Sequence, residues 1–341
     1  MKRASHLPLV AVLLFVVALL PSVTVSPSDH LSTPLATICV EPSPVNVLLG
    51  DVLTLNITVA DVSDLAGWEF KLYWLKEKFN GTGVVEGPFL RQIGSTNLFV
   101  VNFTDDYDST HGLAWVSAVL NGPGPGAFGN GTIASIGLNA RSIGSTGLWL
   151  SETKLVDSAA ALIPHIDVDG VAYITFHDVM VVSVVPFKSV VGKNYTTHIN
   201  LTVANQGNYT ETFGVTMYAN ATIINRTQLV MPNATSTLLP FQWNATLAYG
   251  NYTISAVADT VPSETDTANN TYVGTEVLVT ILGDVTGDLN VLPVDLATLI
   301  AAYGSPLGIR PYNPNCDIDD NGAVGPFDLA ILIANYGKHY P

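Results

Sequence analysis

Asp317, Asp319, Asn321 and Asp328 stand at positions 1, 3, 5 and 12 of a twelve-residue stretch near the C-terminus, with Gly322 at position 6. Oxygen-bearing side chains at this spacing wrap around one hard cation. Calcium takes about six to eight oxygens, and a loop of this length brings carboxylate and amide oxygens onto a single ion. Gly322 permits the sharp turn, and the Ala323 carbonyl supplies the ligand at position 7. A second stretch follows the pattern less completely. Asp284, Asp288 and Asp295 fit positions 1, 5 and 12, and Asn290 stands at position 7. Thr286 takes position 3 in place of an acid, and Leu289 sits where glycine is preferred. The alternative for both stretches is an acidic turn that caps a helix, because Asp295 and Asp328 also suit a helix start.

The two stretches belong to one repeat. Laid over itself at an offset of 33, the segment from Gly283 to Pro341 places Asp284 on Asp317, Val291 on Val324, Pro293 on Pro326 and Asp295 on Asp328. Leu296-Ala297, Leu299-Ile300-Ala301 and Tyr303-Gly304 then fall on Leu329-Ala330, Leu332-Ile333-Ala334 and Tyr336-Gly337. Such a period means one structural unit used twice, here a loop running into a helix. This duplicated pattern resembles dockerin, the calcium-dependent plug that docks onto cohesin modules in cellulosome-type assemblies. An ordinary EF-hand has a helix before the loop and glutamate at position 12, whereas these loops lack the entering helix and end in aspartate. The resemblance covers residues 283–341. It implies Ca2+ as cofactor, a cohesin module of this chain or another as partner, and loop positions 10 and 11 as partner-selecting. Those positions are Pro293-Val294 and Pro326-Phe327 rather than the hydroxyl pair of many members, which implies a more apolar contact. The near two-fold repeat permits docking in two orientations.

The elements that must carry this module lie upstream. From about residue 38 to 175, short stretches alternate apolar and polar residues. Leu53, Leu55, Ile57 and Val59 take one face of Val52–Val59, and Trp68, Phe70, Leu72 and Trp74 repeat the period. Further strands are expected near 98–103, 113–119, 133–138, 148–150 and 171–175, separated by Gly/Pro/Asn turns such as Asn121–Gly126. Many short alternating strands indicate a β-sandwich. Leu49-Gly50-Asp51, the run from Val62 to Phe70, and Leu155-Val156-Asp157 with Ile163-Pro164 and Asp169-Gly170-Val171 resemble the opening and ending of a cohesin domain. That implies a non-catalytic, jelly-roll-like binding module with one sheet face for a dockerin-bearing protein. A carbohydrate-binding sandwich is the alternative. Asp105, Asp106 and Asp108, and separately His165, Asp167 and Asp169, offer metal-ligand chemistry. The plainer reading is a solvated loop and the polar face of a strand.

Residues 176–281 alternate again, with Ile199, Leu201 and Val203, then Phe213, Val215 and Met217, then Phe241, Trp243, Ala245 and Leu247, then Tyr252, Ile254 and Ala256. Some seven strands in this length point to an immunoglobulin-like sandwich. Val203-Ala-Asn-Gln-Gly207, Phe241-Gln-Trp243 and the run from Val257 through Glu264 to Asn269-Asn270 resemble the CARDB adhesion-associated domain. The resemblance implies a spacer, or alternatively a ligand-binding adhesin domain.

Composition bounds the function. A net charge of −15 with 12% charged residues repels phosphate backbones, so nucleic acid is excluded as a partner. Lys2 and Arg3 precede the apolar run Leu7–Leu20, which reads as a secretory signal (1–26) followed by a Ser/Thr/Pro linker (27–37); a retained N-terminal anchor is the alternative. Asn-x-Thr acceptors occur at Asn56, Asn80, Asn102, Asn130, Asn194, Asn200, Asn208, Asn220, Asn225, Asn233, Asn244, Asn251 and Asn269. This exceeds chance and fits a glycosylated, extracellular or cell-surface chain. Cys39 and Cys316 either pair across the mature chain or stay as thiols. No phosphate-binding glycine loop, zinc spacing or nucleophile set is present. Glu69, Glu77 and Asp105 could supply a glycosidase carboxylate pair, and nothing marks them above ordinary surface acids. The expectation is a mainly β protein of three modules: two β-sandwiches (38–175, jelly-roll-like; 176–281, immunoglobulin-like) and a small α-helical calcium module (282–341). Its function is that of a non-enzymatic scaffold or adaptor. A carbohydrate-binding envelope adhesin is the competing class, with polysaccharide as partner, and a dockerin-borne glycoside hydrolase is the third.

Overall fold

The computed structural model describes residues 34–309 and 311–340. The expected secretory signal, and the linker up to residue 33, lie outside the described residues. Three hydrophobic cores follow one another along the chain, the first drawn from residues between Ala36 and Ile174, the second from Val179 to Val279, the third from Ile281 to Leu332.

The first core is held by β1 (Ala36–Glu41), β2 (Val45–Leu48), β3 (Val52–Leu75), β4 (Phe79–Glu86), β5 (Thr96–Thr104), β6 (His111–Leu120), β7 (Ala127–Ala140), β8 (Gly144–Asp157), β9 (His165–Val168) and β10 (Gly170–Thr175), with one helical turn, α1 (Pro88–Arg91). The two alternating runs read from the sequence as separate strands are one continuous strand, β3. Its first half pairs with β1 and β7, and its second half pairs with β6 and β8. The change of partners happens at Asp61 and Asp64, whose φ angles are +55° and +60°. Bulges of this kind let a strand leave one layer of a sandwich for the other. Asp64 fixes the bend by accepting hydrogen bonds from Gly126 N and Ser158 Oγ, both at 2.5 Å. Alternation resumes after the bend with its phase shifted by one residue, so Leu53, Leu55, Ile57 and Val59 at odd positions and then Trp68, Phe70, Leu72 and Trp74 at even positions all face the core. Each such side chain contributes about 1.5–3 kcal/mol on burial. The sandwich begins two residues earlier than expected, because Ala36 and Ile38 are already buried on β1. The strands that open and close the module pair in parallel, β1 with β9 and β2 with β10.

The second core lies between two sheets. One comprises β11 (Val179–Pro186), β13 (Thr196–Asn205) and β16 (Thr235–Asn244). The other has the order β12 (Val190–Gly192), β18 (Thr271–Thr280), β17 (Gly250–Ala258), β14 (Glu211–Ala219), β15 (Thr222–Met231). β12 and β18 are parallel. Trp243, Ile199, Leu201, Val215, Met217 and Ile254 fill the space between the sheets.

Beyond β18, two loop-helix units close the chain. Helices α2 (Pro293–Ala302) and α3 (Pro326–Asn335) both open on proline, which costs nothing at a first helical position. Both end beside a left-handed glycine, Gly304 and Gly337. Asp295 and Asp328 occupy the third helical position rather than the cap, and reach back to the N–H of Leu292 (2.9 Å) and Gly325 (2.7 Å). The repeat is closed by reciprocal backbone pairing, Val291 with Gly337 and Lys338, and Val324 with Gly304 and Ser305. Loop 1 follows β18 directly, and loop 2 follows a single 3-10 turn, Pro314–Cys316, so neither has an entering α-helix.

Candidate functional site

In each repeat the loop brings three aspartates together. Carboxylate oxygens of Asp284, Asp288 and Asp295 lie within 4.8 Å of one another, and so do those of Asp317, Asp319 and Asp328. Asp295, Asp317 and Asp328 are fully buried and Asp284 nearly so. Backbone N–H groups aim the carboxylates: Asp317 accepts from Asn321 (3.1 Å) and Gly322 (2.9 Å), and Asp328 from Ile318 (2.6 Å) and Asp319 (3.1 Å). Loop 1 copies this, with Asp284 accepting from Gly287 and Leu289, and Asp295 from Val285 and Thr286. Leu289 adopts φ +65° where Gly322 has +90°, so loop 1 makes the same turn with a residue less suited to it.

The donor set is all hard oxygen, and the segment 283–340 holds seven aspartates against one arginine and one lysine. Burial raises the carboxyls of Asp284 and Asp319 above their ordinary value, with Asp295 and Asp328 respectively adding like-charge repulsion. Concentrated, desolvated carboxylates on a twelve-residue frame are what a divalent calcium ion neutralises, so the residues fit that ion. Thr286 at loop 1 position 3 donates its hydroxyl to Asp295 (2.9 Å) and brings no charge. Asn321 bridges Asp319 and Ala323 N. The Asn290 side chain turns instead to the Asp288 carbonyl (2.8 Å), leaving only its backbone for the loop.

On the outer side of the helices, Pro293 and Val294 are matched by Pro326 and Phe327, all exposed, Phe327 at 73%. Ile300 on α2 and Ile333 on α3, with Tyr303 and Tyr336 just past the helix ends, are exposed at matching positions as well. The repeat therefore presents two equivalent apolar faces.

The first sandwich has an aromatic outer face on β5, β6, β3 and β8. Tyr73 meets Tyr107 at 5.6 Å, His111 meets Trp149 at 5.7 Å, and Lys71 Nζ lies 4.5 Å over the Trp115 ring while pairing with Glu152 at 2.8 Å. A shallow groove beside it is lined by Glu69, Phe99, Ser117, Val119 and Lys154. The period-two signal was visible in the sequence, but that Trp115 of β6 and Trp149 of β8 join one outer face with Lys71 and Tyr73 follows from the pairing of those strands with β3.

The other candidate clusters are engaged in structure. Asp105 holds Gly81 N, Asp106 pairs with Lys76, and Asp108 holds the N–H groups of Thr110 and His111, which keep its carboxyl well below the usual range. Thr153 sits between His165 and Asp167, and Asp169 accepts Leu150 N. Glu69 is spent on Lys154 at 2.6 Å, and Glu77 lies on the surface beside Lys78. Cys39 and Cys316 are free. Cys316 is in the third core, where burial pushes its thiol up to about 12; of the two alternatives, the structure has the unpaired thiols. Asn130, Asn194, Asn200, Asn208, Asn220, Asn233, Asn244 and Asn251 are exposed and Asn56, Asn80, Asn102 and Asn225 half-buried. The Asn269 amide nitrogen instead donates to Asp178 at 3.1 Å.

In the second sandwich, Glu264 ties the chain corner together, accepting from Val179 N, Val261 N and Asn270 Nδ2. Residues 166–274 match the CARDB family. The CARDB match thus runs from β9 into the start of β18 and takes in the second core except Val277 and Val279. Among solved structures, a CARDB domain from Pyrococcus furiosus in complex with di-metal ions is 26% identical over 31% of this chain and 96% of its own, with a TM-score of 0.28. A non-cellulosomal cohesin from the hyperthermophilic archaeon Archaeoglobus fulgidus (10% identity, 41% and 91% covered, TM-score 0.33) and a type II cohesin domain from the cellulosome of Acetivibrio cellulolyticus (12%, 41% and 95%, TM-score 0.34) are similar to the chain as well. These scores are low, and the sandwich architecture rests on the strand pairing and cores above. No curated protein matches the chain. Among the described residues no helix is long and apolar enough to cross a membrane.

Proposed function

We propose that the protein is a non-catalytic extracellular adaptor that assembles through a calcium-dependent contact of the cohesin–dockerin type. The first sandwich is the socket, CARDB the spacer and the C-terminal repeat the plug. The observation that carries this reading is the repeat itself. Two loops converge three aspartates each, and their helices turn matched apolar faces outward at Val294 and Phe327. Calcium supplies charge neutralisation, while the chain's own residues set the loop shape and hold the helices against the third core. The aromatic outer face on β3, β5, β6 and β8 supports a protein-binding role for the first sandwich, because buried aromatic anchors dominate interface energetics.

The test is calorimetric titration of residues 34–175 with residues 176–341, in calcium and in chelator. Calcium-dependent binding supports a self-recognising pair, and no binding with a calcium-loaded repeat refutes it and leaves foreign partners. The same aromatic face favours a second reading, polysaccharide binding, since sugar rings stack on exposed aromatics such as Trp149 and Tyr107. Retention of residues 34–175 on an insoluble polysaccharide, lost on Trp149→Ala, separates the two.

A further inference from the structure

The two calcium loops do not hang free of the CARDB sandwich. At position 4 both make a left-handed corner, at Gly287 (φ +84°) and Asp320 (φ +62°), and both corners are pressed onto CARDB. A Cβ on Gly287 would lie 3.1 Å from Val190 and 3.2 Å from Leu278, so loop 1 rests flat on β12 and β18. Loop 2 carries an acid at the same position. Asp320 Oδ1 is 3.0 Å from Lys188 Nζ, and Oδ2 is 2.6 Å from His198 Nδ1, although not aligned as a hydrogen bond. The Asp320 side chain is 5% exposed and that of Lys188 2%. Beside them Asn315 Oδ1 accepts the N–H groups of Ser189 (3.1 Å) and Val190 (3.2 Å), and its Nδ2 donates to Ser189 Oγ. Two contacts reach the ligands themselves. Thr280 of β18 donates to Asp284 at 2.6 Å, and Tyr312, packed 6.2 Å from Phe187, donates to Asp317 at 2.8 Å.

We infer that the CARDB sandwich and the calcium repeat form one coupled unit, in which a cation in loop 2 controls docking of the repeat onto β12 through the Asp320–Lys188–His198 clasp. This rests on the calcium reading proposed above. Asp320 adds a fourth negative charge to Asp317, Asp319 and Asp328 in a desolvated place, and Lys188 compensates it. A buried charge pair holds only while both partners stay in register, because separating them strands a buried charge. The register of Asp320 is set by the turn between Asp319 and Asn321, two loop ligands. Without the cation, repulsion among the carboxylates opens that turn and withdraws Asp320 from Lys188. Linkage makes the effect reciprocal: whatever weakens docking weakens cation binding.

The Ser189 and Val190 amides report docking from the CARDB side, since their acceptor is Asn315. Amide hydrogen exchange on the full chain, in calcium and in chelator, is the test. The expected result is exchange at these two amides faster by about tenfold or more in chelator. Asp320→Asn, which keeps a residue tolerant of φ > 0, and Lys188→Met, which keeps the apolar stem, are expected to give fast exchange at Ser189 and Val190 even in calcium, with α2 and α3 still protected. The inference is overturned if the loop amides of Asn321 and Gly322 respond to calcium while Ser189 and Val190 do not, or if both variants keep wild-type protection. If no loop amide responds to calcium, the calcium reading itself falls.

Discussion

At the scale of single residues, the clustering of the loop aspartates was the most legible part of the chain. Spacing alone placed Asp317, Asp319 and Asp328 together, because a twelve-residue loop leaves the backbone few ways to arrange positions 1, 3 and 12. Spacing could not show that Asp320 faces the neighbouring sandwich or that Lys188 is buried to meet it. Those facts depend on how two modules pack, and a lone lysine between two strands carries no local signal. The missing charge at Thr286 sets the ranking of the loops. On the proposed calcium reading, Asp328→Asn is expected to weaken the tighter of the two sites by at least about tenfold, the scale of one lost charge-assisted contact. Asp295→Asn should affect only the weaker site, and calorimetric calcium titration of the full chain distinguishes the two. Asp178 gives a pH prediction. Burial raises its carboxyl, Glu264 and Asp266 add to this, and only Asn269 opposes. A raised folded-state value means the fold favours the protonated acid, so its stabilising contribution is present at low pH and lost as pH rises through that value. Asp178→Asn should therefore raise the urea midpoint of the second sandwich at pH 7 and leave it nearly unchanged at pH 4.

At the scale of elements, periodicity told which residues face inward but not where strands end. Leu53 to Val59 are buried at odd positions and Trp68 to Trp74 at even ones, and only the structure shows the bulges at Asp61 and Asp64 that shift the phase and carry a single strand from layer to layer. β15 went unread because Thr222–Met231 alternates weakly and lies at a sheet edge, with most of its side chains at least partly exposed. The paired helices, by contrast, followed directly from the internal repeat. Their equivalence has a consequence for recognition. Val294→Asp or Phe327→Asp alone should leave partner affinity within a few fold, since the other face remains, whereas the double variant should lose binding by about two orders of magnitude or more. A loss of the same size from either single change would show that only one face is used.

At the scale of the whole molecule, the proposed socket and plug on one chain would make association head-to-tail. Both junctions are ordered: Thr175 and Tyr209 hydroxyls meet at 2.9 Å between the first and second sandwiches, and the loops are clasped to β12. A chain stiffened in this way resists folding back on itself, so light scattering after size exclusion should show calcium-dependent growth beyond a monomer, reversed by chelator. A constant monomer mass in both conditions would exclude self-assembly. The parallel pairing of β1 with β9, β2 with β10 and β12 with β18 bears on such an assembly under tension. A pull between the two ends of either sandwich runs along these ladders rather than across them. Their hydrogen bonds are then sheared together instead of being unzipped one at a time, and rupture of that kind is governed by the unfolding barrier rather than by equilibrium stability. In single-molecule pulling, both sandwiches should yield at high force, after the calcium repeat has already let go in chelator. On the proposed calcium reading, this architecture would act as a load-bearing tether with its weakest link set by an ion.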